Sequence, residues 1–158
     1  VNYESIEEKI KIAKQLFSVR HRILNSEITS YIEKLSLSIE KSKRMMEILG
    51  VSRICGECRD ASCCGRGIEE KYDPITLLIN LLLGNELSEG DAEGCYFLTS
   101  SGCSLKAREV ICVNYLCEKI YSSVEREKLI SLQKVYGEEL ETLFLISEMI
   151  KRRIRESL

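Results

Sequence analysis

Only one proline and one histidine occur in this 158-residue chain, and no cysteine lies outside the interval from Cys55 to Cys117. Each scarcity removes a class of function. A single histidine, His21, with no serine motif to accompany it, leaves no hydrolytic triad to assemble. No glycine loop has the spacing that cradles phosphate. No apolar run approaches the roughly 18 residues of a membrane span. The longest, residues 77–83, is broken by Asn80 and followed by Gly84. The formal charge of −2 lacks the basic surplus of a general nucleic-acid binder. The opening residues Val1-Asn2-Tyr3-Glu4 have neither the basic flank nor the apolar segment of a secretory signal. The expectation is a cytoplasmic protein that neither spans a membrane nor binds nucleic acid, with no sequence argument for an enzyme.

Charged residues make up 30% of the chain and hydrophobic ones 44%, the balance of a soluble globular domain. That length buries a core without covalent staples, so residues 1–158 read as one domain that does not need its cysteines for bulk stability. Two of its three parts read as long helices. Over residues 3–24, Ile6, Ile10, Ala13, Leu16, Phe17 and Leu24 recur at helical spacing. Asn25-Ser26 offers a cap for a second segment that runs to Leu49 and stops at Gly50. The short connection predicts an antiparallel helical hairpin over residues 1–50. At the other end, Ser122 and Glu125 fit a capping box that opens a helix over residues 122–158, with Gly137 its weak point.

Residues 51–121 between these arms hold the glycines, the proline and all eight cysteines. Asp73-Pro74 is a helix start, and the helix it opens, residues 75–83, is apolar almost all round and therefore buried. A further helix is expected to begin near Ser104 and carry Arg108, Cys112 and Tyr115. The fold class is thus mainly α: a bundle of long N- and C-terminal helices around a cysteine-rich lobe. Exposed ridges on the long helices suggest a homodimer or a protein partner.

The cysteine order is Cys55-x2-Cys58-x4-Cys63-Cys64, then Cys95-x7-Cys103-x8-Cys112-x4-Cys117. Thiolate is the soft donor that zinc, copper(I) and iron–sulfur clusters select. Secreted disulfide frameworks spread over a whole small domain, whereas these thiols cluster between cysteine-free arms, which favours metal. Eight cysteines make two four-ligand sites. Adjacent side chains diverge, so Cys63 and Cys64 read as serving different centres. The irregular spacings suit at least one [4Fe–4S] cluster with dispersed attachment points, while zinc asks only for four tetrahedral ligands. Both cofactors stay open. Gly56, Gly65, Gly94 and Gly102 stand beside cysteines, where glycine lets backbone amides face sulfur. Arg53, Arg59, Arg66, Lys106 and Arg108 are nearby cations able to offset thiolate charge.

The paired Cys63-Cys64, the run Cys95-Tyr-Phe-Leu, Gly102-Cys103-Ser-Leu, Arg108 and Cys112-x2-Tyr115-x-Cys117 together resemble the YkgJ-type cysteine-cluster family, described as zinc- or iron-chelating domains. The resemblance covers residues 55–117 and leaves both helical arms unexplained. The family pattern has prolines where Glu109 and Leu116 stand, which makes a more helical backbone expected here. It implies metal binding and no particular activity. The composite expectation is a small iron–sulfur protein, redox-active or an electron carrier, with a structural zinc scaffold for a partner protein as the alternative. The remaining chemistry-bearing residues have plainer readings. His21 belongs to a polar helix face. The Lys151–Arg155 cations suit a helix C-terminus. Tyr96, Tyr115 and Tyr121 are expected to pack around the metal site, and Glu69-Glu70 to be solvated.

Overall fold

A computed structural model describes residues 5–57, 65, 67–100 and 102–157. Among the described residues the chain is mainly helical, with one two-stranded ribbon. Helix α1 (Ile6–Ser18) starts at a capping box: Ser5 Oγ accepts from the Glu8 N–H, and the Glu8 carboxylate accepts from the Ser5 N–H. It does not reach residue 24 as one helix. The turn closes at Val19, and a separate short helix α2 (Arg20–Ile23) follows. The Asn25 side chain accepts from the Ile28 N–H and opens α3 (Ser26–Ile48), which ends at Leu49 with Gly50 at a φ of 77°. The chain then turns directly into α4 (Val51–Gly56), which carries Cys55.

A 3-10 turn (Ile68–Lys71) precedes α5 (Pro74–Leu82). As its sequence predicts, α5 has Pro74 in its first turn, is capped by Asp73 accepting from Thr76 N–H, and buries Thr76, Leu77, Leu78, Ile79 and Asn80. Strands β1 (Leu98–Thr99) and β2 (Gly102–Cys103) pair antiparallel, Leu98 opposite Cys103. Helices α6 (Val110–Asn114), α7 (Glu118–Ser123) and α8 (Arg126–Ser157) complete the chain.

Two expectations about helix starts are corrected. Ser122 does not cap the last helix, because it lies inside α7, where its hydroxyl donates to the Glu118 carbonyl one turn back. No helix begins near Ser104 either, since the Lys106 and Ala107 amides are taken by the Asn80 side chain and helix starts only at Val110. Helix α8 is continuous through Gly137, and a methyl group added there meets open space.

The two long helices α3 and α8 pack along each other, and α1 packs on α5. The main partners of α1 and α3 are thus not each other. Ile28 and Leu35 meet Ile146 and Ile150 in one apolar cluster, while Met45, Met46 and Leu49 meet Leu129, Leu132 and Tyr136 in a second. Helices α3 and α8 therefore run antiparallel. The first cluster also takes in α1, α5 and the ribbon, and the second takes in α4, α6 and α7.

Where α8 ends, two arginines are exchanged. Arg22 of α2 donates to the Ser157 carbonyl, while Arg153 of α8 donates to the Arg22 and Ile23 carbonyls. Each cation thus meets carbonyls near the C-terminal end of the other helix, where the helix dipole favours positive charge. The basic run at the end of α8 has a structural use in Arg153. His21 is exposed.

Candidate metal centre

The cysteine region is built on α5. Asn80, on its buried face, donates to the Thr76 and Ala107 carbonyls and accepts from the Lys106 and Ala107 N–H groups. Asn85 donates to the Ser104 carbonyl, and Lys106 Nζ to the Leu83 carbonyl at the end of α5. These bonds fix residues 104–107 and so set where Arg108 and α6 emerge. On the other side of this segment, Gly102 at a φ of 105° turns the ribbon that carries Cys103, and the Ser104 N–H donates to the Phe97 carbonyl. Gly94 also adopts a positive φ, whereas Gly56 ends α4 and Gly65 stays outside the left-handed region, so two of the four glycines beside cysteines use that freedom.

Cys55 on α4, Cys103 on β2, Cys112 on α6 and Cys117 at the N-cap of α7 line one cavity of 390 Å³. Its remaining walls are apolar, among them Met46, Val51, Ile111, Leu116 and Ile120, with Arg108, Tyr115 and Tyr136 as the polar members. Cys117 caps a helix and the Tyr115–Cys117 link is extended, so the backbone here is less helical than the missing prolines suggest. Cys95 is buried in the first core cluster and does not line the cavity. Cys58, Cys63 and Cys64, with Arg59 and Arg66, lie outside the described residues. Among the described residues, no three Cys, His, Asp or Glu side chains stand together closely enough to hold a metal ion.

Two tyrosines that sequence reasoning did not assign to the site, Tyr136 having been read only as part of the last helix's apolar stripe, flank the cysteines. The Tyr72 ring is buried against Phe97, edge-on at 5.7 Å, and its hydroxyl lies 3.6 Å from the Cys112 sulfur. Burial, then the negative character of Cys112 and Cys103, holds this phenol far above its ordinary range. Tyr136 of α8 is pushed up to about 12, first by burial. The Arg108 guanidinium, hydrogen-bonded to it, opposes that shift, and Glu139 and Cys55 add to it. Behind Tyr136, buried Glu139 accepts a 2.6 Å hydrogen bond from Ser42 across the α3–α8 interface. Burial raises its pKa, against the Ser42 bond and the Arg108 charge. At the N-cap of α6, burial and then the Asp73 charge raise Glu109.

Comparison with known proteins gives no match. No family model, curated protein or solved structure resembles the chain closely enough to name a relative.

Other expected site residues sit elsewhere. Of the tyrosines expected around the metal, Tyr115 lines the cavity but is largely exposed, Tyr121 is exposed on α7, and Tyr96 packs edge-on against Phe97. Arg53 pairs with Glu57 on the surface of α4. Glu70 is exposed, its carbonyl accepting from Lys9 Nζ, while Glu69 accepts from the Gly67 N–H. Some of the missed residues left a trace in sequence. Leu129, Leu132, Tyr136, Glu139 and Leu143 follow the 3-4-3-4 spacing of a buried stripe, as Ile28, Leu35 and Ser42 follow a seven-residue one. A tyrosine or glutamate inside such a stripe needs a polar partner.

Proposed function

We propose that this protein is a cytoplasmic, thiolate-ligated metalloprotein whose centre lies at the cavity, and that the metal is an iron–sulfur cluster with a redox or electron-transfer role. One observation carries the reading: Cys55, Cys103, Cys112 and Cys117, drawn from four separate elements, line the same cavity beside Arg108. The segment with Cys58, Cys63 and Cys64 follows directly from Cys55 and supplies further donors. The donor chemistry suits the group, since sulfur is the ligand such clusters take and Arg108 offsets thiolate charge. When bound, such a cluster supplies reversible one-electron chemistry. The likeness to YkgJ-type cysteine clusters, read from residues 55–117, points the same way.

The test is iron, zinc and acid-labile sulfide per chain in anaerobically purified protein, with the visible spectrum. Iron and sulfide in equal amounts, with brown absorbance bleached by dithionite, are expected. A colourless, redox-silent protein overturns the cluster.

A structural zinc site is favoured by a different observation. Three of the elements bearing the cysteines, α4, β2 and α6, are six residues or shorter. A metal there would staple them, and its binding energy would be folding energy. On that reading chelation unfolds this region, and retention of near-UV circular dichroism and protease resistance after complete metal removal excludes it. Either metalloprotein has surface for a partner or a second copy, with Leu37 and Ile48 of α3 and Phe144 of α8 exposed on the long helices.

A further inference from the structure

Among the residues around the cavity, Tyr72 has contacts that a purely packing residue does not need. Its side chain is 1% exposed, so the hydroxyl must find partners inside the protein. It finds two, and both lie at the start of α6. The Glu109 N–H donates to the tyrosine oxygen at 3.2 Å, which leaves the phenolic hydrogen free to point elsewhere. That hydrogen is directed at the Cys112 sulfur, 3.6 Å away, a normal separation for an O–H donor to sulfur. Glu109 is the N-cap of α6, and its carbonyl in turn accepts from the Cys112 N–H at 2.9 Å. One phenol therefore spans the first turn of the helix and fixes both the cap and the sulfur. The ring is buried and meets Phe97 edge-on. Tyr72 lies 40 residues from Cys112 in sequence, so this contact is made by the fold and not by a local turn.

We propose that Tyr72 is a positioning residue of the metal centre: its hydroxyl, oriented by the Glu109 N–H, donates to the Cys112 sulfur and weakens that ligand as an electron donor. The proposal rests on the reading that Cys112 binds the metal. A hydrogen bond to a ligand sulfur withdraws electron density from it, which stabilises the reduced state of the centre and raises its reduction potential. It also fixes the direction in which the sulfur presents its lone pairs. A phenylalanine would keep the ring packing and lose this bond together with the one accepted from the Glu109 N–H.

The experiment compares the anaerobically purified wild type with Tyr72→Phe and Cys112→Ala by metal and sulfide content, sulfur-to-metal charge-transfer absorption and potentiometric titration. Expected is a Tyr72→Phe protein with its full metal content, a shifted charge-transfer band and a more negative potential. If the bound metal is zinc, cobalt(II) exchanged into the site reports the band, and affinity for cobalt(II) changes in Tyr72→Phe, because the sulfur loses the bond that both withdraws its charge and aims its lone pairs. An unchanged band together with an unchanged potential or affinity, at full metal content, overturns the role of Tyr72 and leaves the metal reading standing. Full metal content in Cys112→Ala also overturns it. A wild type with no metal overturns both readings. Should Tyr72→Phe fail to fold, Glu109→Pro serves instead, because Glu109 already has a φ of −60° that proline adopts. It removes the N–H that orients the hydroxyl and must shift the same band, or the proposal fails.

Discussion

The Asn80 carboxamide and the Ala107 peptide group are paired on both sides: Asn80 Nδ2 donates to the Ala107 carbonyl at 2.9 Å, and Asn80 Oδ1 accepts from the Ala107 N–H at 3.0 Å. Asn80 thus imitates a strand edge for a segment that has no strand beside it. Replacement by leucine, similar in size, would strand the Lys106 and Ala107 amides and the Ala107 carbonyl in a buried place. Each orphaned group costs about 1–3 kcal/mol, so Asn80→Leu is expected to lose about 3 kcal/mol or more in urea unfolding. Limited proteolysis should cut first between residues 104 and 110. Equal stability of the two proteins would show that the pairing is incidental.

Two glycines should respond in opposite ways to alanine. At Gly90 a Cβ would overlap the Leu98 carbonyl, whose backbone position is held by its own hydrogen bond to Ala92. Gly90→Ala is expected to lower the melting temperature sharply or prevent folding. At Gly137, inside α8, the same methyl meets nothing within 4 Å. Gly137→Ala should therefore stabilise the protein by about 1 kcal/mol through helix propensity alone.

Glu139 sets a pH dependence whose sign follows from its raised pKa. Burial favours the neutral acid in the folded protein, so the native state holds a proton over a pH range in which the unfolded chain has released it. Stability linked to this group is complete below the ordinary carboxylate value of 4.5 and is lost as pH rises through the higher folded value. The groups facing it are Ser42 on α3, Arg108, and Tyr136 one turn earlier on α8. Glu139→Gln keeps an oxygen for the Ser42 hydroxyl and cannot ionise. It is expected to melt higher than the wild type at pH 7 and to match it near pH 4. A variant that melts lower than the wild type at pH 7 and matches it near pH 4 would mean that the attraction to Arg108 outweighs burial.

The cysteines should divide by position. Cys112→Ala removes a cavity thiol and is expected to lower metal content per chain. Cys95→Ala removes a buried core side chain that does not face the cavity, and is expected to lower stability while metal content stays at the wild-type level. Metal analysis on both purified proteins decides the matter. Loss of metal in Cys95→Ala would point to a second centre that includes it.

What was readable from sequence is what local chemistry decides. Asp73-Pro74 opens α5 and Asn25 opens α3 because cap and first turn are neighbours in the chain. The mainly α fold followed from apolar spacing along the arms. The misread starts share one cause, competition for the same groups. Ser122 had a nearer acceptor in the Glu118 carbonyl, and the amides after Ser104 were claimed by Asn80 from 26 and 27 residues away. The gathering of Cys55, Cys103, Cys112 and Cys117 at one cavity was foreshadowed only by their clustering. Tyr72 had no signature, since its bond to Cys112 exists only once α5 and α6 are packed.

The pairing of α3 with α8 has a consequence for synthesis on the ribosome. Ser42 and its partner Glu139 are 97 residues apart, so α3 is made long before the helix that covers it. At about 5–20 residues per second, that interval is roughly 5–20 s. During it the apolar stripe of α3 through Ile28 and Leu35 has no permanent cover, and every cysteine emerges before α8 does. The nascent chain therefore passes through a stage at which its sulfur donors are all present while α8, the helix against which α3, α5 and α6 pack, is still unmade.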